Sequence, residues 1–214
     1  MSGYVPLNEH RHRAHAKLVA AVGTGKRVLD VGCSSGYLAQ PLAERGNTIV
    51  GLELDAAAAR EAEAFCERVL VGDVETMELP LDEGSFDVVL CGDVVEHLRD
   101  PVAALARFRP LLRPGGRVVV STPNIANWAV RLSLLGGRWR YTERGILDRT
   151  HTHLFTRATL REALERAGYE SVRIDFSVPV PGDSDLLDGA AYAVGRLRPG
   201  LFAYQFVAVA QTSS

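Results

Sequence analysis

The stretch Val28-Leu29-Asp30-Val31-Gly32-Cys33-Ser34-Ser35-Gly36 decides the fold. A short apolar run entering glycine reads as a buried strand. The glycines after it read as a strand-to-helix turn whose backbone passes close to a ligand. Alone, such a turn is equally a tight connection, but the residues around it repeat the rhythm. Residues 36–45 read as a helix stopped by Gly46, Thr48 to Leu52 as a second strand, Ala56 to Arg68 as a second helix and Val69 to Gly72 as a third strand. Phe86 to Cys91 reads as a fourth strand and Pro101 to Leu112 as a helix. Pro114-Gly115-Gly116 is a turn, and Arg117 to Thr122 a fifth strand. Strands alternating with helices imply right-handed crossovers and a parallel sheet covered on both faces, an α/β fold.

Outside this frame the pattern loosens. Residues 8–22 fit one helix, with Leu18, Val19 and Val22 on its apolar side and Gly23 and Gly25 ending it. Residues 123–156 are too long for a simple connection, and 127–135 within them reads as a short helix. Thr156 to Ala167 reads as a helix capped by Thr156 and stopped by Gly168. Ser171 to Val178 and Leu201 to Gln211 read as final strands, with the Pro/Gly/Asp-rich residues 179–200 as loop. The expectation is one domain over 1–214, with a helical lid in 1–25 and a substrate-side insertion at 123–156.

Composition narrows the class. The 214 residues carry 24 Lys+Arg and 26 Asp+Glu, a formal charge of −2, with 47% hydrophobic residues, which is ordinary globular usage. That balance argues against nucleic acid or a polybasic membrane anchor as partner. Cys33, Cys66 and Cys91 are odd in number and widely spaced, so they form neither a disulfide framework nor a zinc site and suit a reducing compartment. No apolar run reaches the roughly 18 residues of a membrane span, and the polar N-terminus is unlike a signal peptide. A cytoplasmic domain is expected.

The chemistry lies at the strand ends. Glu53 ends the second strand, where an acid can accept two hydrogen bonds from a ribose diol. Asp73 ends the third, where it can accept from an adenine amino group while Val74 offers apolar contact. A dinucleotide loop would read G-x-G-x-x-G, whereas this one reads G-x-x-x-G with Asp30 two residues before it. An acid there repels a pyrophosphate and suits an ammonium or sulfonium centre, which favours S-adenosylmethionine over NAD.

Asp30 to Gly36 resembles the first motif of class I S-adenosylmethionine-dependent methyltransferases, D-x-G-x-G-x-G, with Ser34 in place of the middle glycine. Glu53 matches that family's ribose acid, and Asp73 with Val74 its adenine-contacting pair. Phe86-Asp87-Val88-Val89 is similar to its fourth strand and Leu112-Arg113-Pro114-Gly115-Gly116 to the turn before its fifth. The resemblance runs over about 25–176. It implies a Rossmann-like, seven-stranded, mostly parallel sheet of order 3-2-1-4-5-7-6 with strand 7 antiparallel and helices on both faces. It also implies S-adenosylmethionine as cofactor, held by Asp30, Gly32, Cys33, Ser34, Gly36, Glu53, Leu54, Asp73, Val74 and Gly92.

Within the family, Cys91-Gly92-Asp93-Val94-Val95-Glu96-His97-Leu98 resembles the fourth-strand exit of the group that includes the ubiquinone O-methyltransferases. Leu147-Asp148-Arg149-Thr150-His151 with Phe155-Thr156 is similar to a segment of small-molecule and sugar methyltransferases. The implied reaction is methyl transfer to a small molecule, most naturally to a hydroxyl oxygen. N-methylation of an amino sugar or peptide amine is the alternative, and a non-catalytic cofactor-binding partner subunit the different-class rival. A hydroxyl acceptor benefits from a base of near-neutral pKa. His151, His97 and His153 are the candidates, the alternation from 150 to 154 directing His151 and His153 to one side. Asp93 and Glu96 can orient a histidine or bind an acceptor amine, or stand simply as helix N-terminal acids favoured by the dipole. Asp148, His151 and His153 can ligate a metal, but no second carboxylate accompanies them and no metal is expected. Trp128, Trp139 and Tyr141 either wall an apolar acceptor or seal their loop, and arginines 131, 138, 140, 144 and 149 either bind an anionic group or form a solvated face.

Overall fold

The computed structural model describes residues 12–178 and 185–212. Seven strands form one sheet: β1 (Arg27–Val31), β2 (Thr48–Glu53), β3 (Arg68–Val71), β4 (Phe86–Gly92), β5 (Leu112–Pro123), β6 (Tyr169–Ser177) and β7 (Gln205–Thr212). Their order is β3-β2-β1-β4-β5-β7-β6, parallel throughout except for β7, which runs antiparallel to both neighbours. The chain moves outward from β1 to β3 on one side and from β4 on the other. The sheet therefore has a switch point between β1 and β4, the place where open α/β sheets bind ligands outside the carboxyl ends of their strands.

Alternation along the strands divides the core. Leu29 and Val31, Val89 and Cys91, and Val118 and Val120 face one layer, where Phe108, Leu160 and Leu164 meet them from helices α4 (Pro101–Phe108) and α6 (Arg157–Arg166). Val28, Val88, Leu90 and Val119 face the other, covered by Leu18, Val19 and Val22 of α1 (Ala14–Val22) and Leu42 of α2 (Ala39–Ala43). The two-residue period of a strand puts successive side chains in opposite layers, so an almost unbroken apolar run is what a strand covered on both sides requires. The Arg117 guanidinium donates to the carbonyls of Ala21 and Val22, at 3.1 and 2.9 Å, and fixes the last turn of α1 against the sheet.

The helices are shorter than the sequence suggests. α1 begins at Ala14, and residues 8–11 of the expected helix lie outside the described residues. α2 covers 39–43 of the expected 36–45. α3 (Ala56–Ala62), capped by Asp55, ends well before Arg68, because the Glu67 amide is drawn to the Ile49 carbonyl at 2.7 Å and Arg68 already begins β3. α4 gives way at Arg109 to a 3-10 turn through Pro110, which cannot donate to a continued helix.

One expectation is overturned. Residues 179–200 are not all loop: α7 (Asp185–Gly195) and α8 (Pro199–Phe202) lie within them, and β7 starts at Gln205 rather than Leu201. Tertiary contacts decide this. Asp188 is fully buried and pairs with Arg13 at 2.7 Å, and Tyr192 stacks on Phe176 with ring centroids 4.7 Å apart. Those contacts outweigh the glycines and aspartates that read locally as breakers.

Beyond β5 the chain is pinned by two asparagines. The buried Asn124 amide donates to the Ala203 carbonyl at 2.9 Å and the Asn127 amide to the same oxygen at 2.9 Å. Asn127 Oδ1 accepts from Ala129 and caps α5 (Trp128–Leu135). Replacing Asn124 by alanine removes its bonds to the Gly200 and Ala203 carbonyls and takes the acceptor from the Ala126 amide, so N124A should lose about 1–3 kcal/mol of unfolding free energy in urea titration. An unchanged midpoint would show that α8 is held by other contacts.

Candidate functional site

The glycine turn sits at the carboxyl end of β1. Gly32 has φ 67°, and a Cβ there would lie 2.6 Å from Val94, so the position admits only glycine. Ser34, the departure from the motif, keeps a left-handed φ of 50°. Its amide donates to Glu53 Oε2 at 2.8 Å, and that bond offsets the strain a side chain brings there. Glu53 Oε1 accepts from the Asp55 amide at 2.9 Å, so one carboxylate ties the turn after β1 to the end of β2.

The sequence-derived cofactor residues gather on this edge, in differing ways. Cys33 turns its buried side chain inward over Gly51, where an added Cβ would come within 2.7 Å of its sulfur, so only its backbone borders the turn. Gly36 is required by packing, since a Cβ would meet Phe65 at 2.8 Å. Gly92 likewise makes room for Leu38. Leu54 is 71% exposed and Val71 51% exposed, an apolar rim beside Glu53, whereas Val74 packs against the core. Asp73 accepts from the Glu75 amide and is paired with Arg99 at 2.9 Å.

Asp30 is the exception within the sheet. It is an acid in mid-strand, 1% exposed, and its Oδ2 has no hydrogen-bond partner among the described residues. Burial, reinforced by the negative Glu53, pushes its pKa up to about 7.

A second group stands beyond β4. Asp93, with φ 56°, accepts from Ser121 Oγ at 2.7 Å and from the Gln205 amide. The 3-10 turn Val95–His97 follows. Its Glu96 is 1% exposed, and both carboxylate oxygens lack hydrogen-bond partners among the described residues. Burial and the nearby Asp93 raise its pKa well above the usual carboxylate range. The Glu96 carbonyl accepts from the amides of Thr152 and His153, at 2.8 and 3.0 Å, which docks the 150–153 segment on the turn.

That docking sorts the histidines. His97 and His151 meet edge to face with centroids 4.9 Å apart, and donor atoms of Glu96, His97 and His151 all lie within 4.8 Å of one another. His153 is separate: its Nδ1 reaches the Leu98 carbonyl at 2.9 Å and its ring stacks on Phe155. The expectation that alternation brings His151 and His153 into one group therefore fails, because the segment bends across the turn instead of running extended. The Thr150 hydroxyl donates to Asp148 at 2.7 Å, so its one proton is committed. His97 Nδ1, 3.2 Å from that hydroxyl and 3.3 Å from the Thr150 carbonyl, must carry a proton, which leaves Nε2 as the basic nitrogen. Burial, then the neighbouring His151, lowers the pKa of His97. Trp128, Trp139 and Tyr141 remain partly exposed and do not seal their loop.

Ser121, Thr150 and Gln205 were not singled out from the sequence. Ser121 reaches Asp93 through the pairing of β4 with β5, which sets Gly92 opposite it, and Gln205 through the pairing of β5 with β7, registers that no local motif encodes.

The family model described as a methyltransferase domain matches residues 7–174. The chain belongs to this methyltransferase-domain family. A probable S-adenosylmethionine-dependent methyltransferase of Mycolicibacterium smegmatis is 35% identical over 160 residues, 75% of this chain and 58% of that protein. A ubiquinone biosynthesis O-methyltransferase of Acinetobacter baylyi is 33% identical over 121 residues, 54% of this chain and 51% of the relative. The chain thus spans between half and three fifths of the length of these relatives. Among solved structures, an S-adenosylmethionine-dependent methyltransferase of Archaeoglobus fulgidus superposes with a TM-score of 0.68 at 21% identity, covering 95% of this chain and 97% of its own. A possible histamine N-methyltransferase of Thermotoga maritima superposes with a TM-score of 0.67 at 20% identity, covering 95% and 91%. Both share the fold. No helix among the described residues is long and apolar enough to cross a membrane.

Asp30 makes stability pH-dependent. Its folded pKa of about 7 lies above the usual unfolded value of about 3.9, so the folded state holds the extra proton between them. Its stabilising contribution is complete below about pH 4 and is lost as pH rises through about 7, a difference of about 4 kcal/mol. Urea unfolding at about pH 5 and about pH 8 should show the D30N variant gaining on the wild type as pH rises, and parallel profiles would disprove the assignment.

Proposed function

We propose that the chain binds S-adenosylmethionine across the carboxyl ends of β1 to β4 and methylates a hydroxyl oxygen of a small molecule held under residues 123–156. Asp30 carries the reading. A buried mid-strand carboxylate with an unpartnered oxygen, beside the anionic Glu53, is answered by a cationic ligand and opposed to a pyrophosphate. The residues present fit that cofactor, which supplies an electrophilic methyl group on a positively charged sulfur.

The chain's residues divide the work. Asp30 offers charge to an ammonium or sulfonium. Glu53, though bonded to Ser34 and Asp55, keeps lone pairs for a ribose diol. Leu54 and Val71 offer apolar surface to a base, and Asp73 offers an acceptor at its edge. On the far side of the switch point, His97 turns its unprotonated Nε2 away from Thr150, and its lowered pKa keeps it neutral at pH 7. His151, anchored through Nδ1 to the Ile146 carbonyl at 3.2 Å, is oriented in the same way. These two receive the acceptor's hydroxyl, while His153 serves the docking of its own segment. Positioning and exclusion of water then supply much of the rate. The O-methyltransferases among the relatives support oxygen over nitrogen as acceptor.

Calorimetric titration with S-adenosylhomocysteine, with NADH as control, tests the cofactor. Micromolar binding of the first alone is expected, with Asp30→Asn at least tenfold weaker. Binding of NADH alone overturns the reading. Release of S-adenosylhomocysteine from S-adenosylmethionine is then measured against panels of hydroxyl and amine acceptors. Turnover confined to amines would move the assignment to N-methylation. Cofactor binding with no acceptor and a co-purifying protein would mark a partner subunit. His97→Gln should cut kcat about 100-fold on the true acceptor with cofactor affinity retained.

A further inference from the structure

The fold buries a carboxyl group that is paired with no cation among the described residues. Glu96 is buried in the turn after β4, and among the described residues neither of its oxygens has a hydrogen-bond partner of good geometry; the Thr122 hydroxyl is the polar group beside it. A buried carboxylate in that condition is rare in native proteins and needs an explanation. Two imidazoles stand within reach, and donor atoms of Glu96, His97 and His151 all lie within 4.8 Å of one another.

The second observation is how the imidazoles are held. His97 Nδ1 is engaged by Thr150, whose hydroxyl is in turn fixed by Asp148, and His151 Nδ1 faces the Ile146 carbonyl at 3.2 Å. Each ring spends Nδ1 on the protein and leaves Nε2 with a lone pair. Metal-ligating histidines are held this way, with a carbonyl or a carboxylate-linked group fixing the tautomer and the ring plane.

We infer that Glu96, His97 and His151 bind a divalent first-row metal ion of the zinc class. One carboxylate and two imidazoles, with positions left open, form the donor set of zinc sites that also take an exogenous oxygen. Magnesium, which asks for an octahedron of oxygens, suits this set poorly. Around a tetrahedral ion with bonds of about 2.1 Å, donors sit about 3.4 Å apart, so the group closes by small side-chain rotations when the ion enters. From the sequence the candidate donors were Asp148, His151 and His153. The fold replaces two of them: Asp148 orients Thr150 behind His97, and His153 is spent on Leu98. With an ion bound, the two Nε2 lone pairs are its ligands rather than the base of the proposed reaction, and a hydroxyl taken at an open position loses its proton to solvent more readily. Only this last step rests on that reading; the ion site does not.

The protein, stripped with a chelator, is titrated with Co2+ and followed by the visible absorption of the ion, and then with Zn2+ in competition. A one-to-one cobalt spectrum of low coordination number, displaced by zinc, is expected. Glu96→Gln, which keeps the shape of the side chain, and His151→Ala, on the docked segment, should each weaken cobalt binding at least tenfold, while His153→Gln leaves it unchanged. Far-UV circular dichroism and thermal melting of each variant verify the fold. Absence of a cobalt spectrum at millimolar ion overturns the site, as does weakening by His153→Gln with Glu96→Gln and His151→Ala unaffected. Either failure leaves calorimetric binding of S-adenosylhomocysteine untouched, so the two readings fall separately.

Discussion

β4 is buried along its whole length, and the rest of the molecule is arranged around that constraint. A strand covered on both sides and paired on both edges can carry no charged group without cost, so polar chemistry is pushed to its ends. It is also where the topology reverses, with β1 on one side and β5 on the other. The side chains that follow it, Asp93, Glu96 and His97, therefore emerge on the edge where the glycine turn of β1 emerges. The candidate residues stand on both sides of the switch point, Asp30 held within β1 and Asp93, Glu96 and His97 following the end of β4.

Much of this was legible because it is local. An apolar run, a glycine turn and an acid at the next strand end each announce themselves within a few residues, and the sheet order follows once the family's sequence of motifs is matched. Ser34 shows how far that goes. The motif position called for glycine, and serine takes the same left-handed backbone because a carboxylate on the neighbouring strand holds its amide. Neither residue reveals that bond alone.

What was not legible depends on distant partners. Asp185 to Gly195 reads as loop by composition and becomes helix because Asp188 and Tyr192 find Arg13 and Phe176. His151 and His153 look equivalent by spacing, and the carbonyls of Glu96 and Leu98 separate them. Glu96 reads as an ordinary acid at a helix start, and its burial is visible only once the 150–153 segment is laid across it. In each case a long-range contact chooses between conformations that local propensity leaves close in energy.

Asp30 and Glu96 then belong together as one physical problem. Both are buried to 1% exposure, both hold unpartnered oxygens, and burial raises the pKa of both. A fold selected for stability alone would replace each with an apolar residue, since an unsatisfied buried carboxylate costs more than a methyl group in its place. Their surroundings differ in kind. Asp30 has another acid, Glu53, as its charged neighbour and lies two residues before the glycine turn, so a cation there would be met by main chain rather than by basic side chains. Glu96 has two imidazoles within reach, which suits a small ion of the borderline-soft zinc class approached by side chains. Electrostatics alone would make both sites cation-seeking. On the two proposals above, the difference between carboxylate with backbone and carboxylate with imidazoles is what would assign an organic cation to the first and a metal ion to the second.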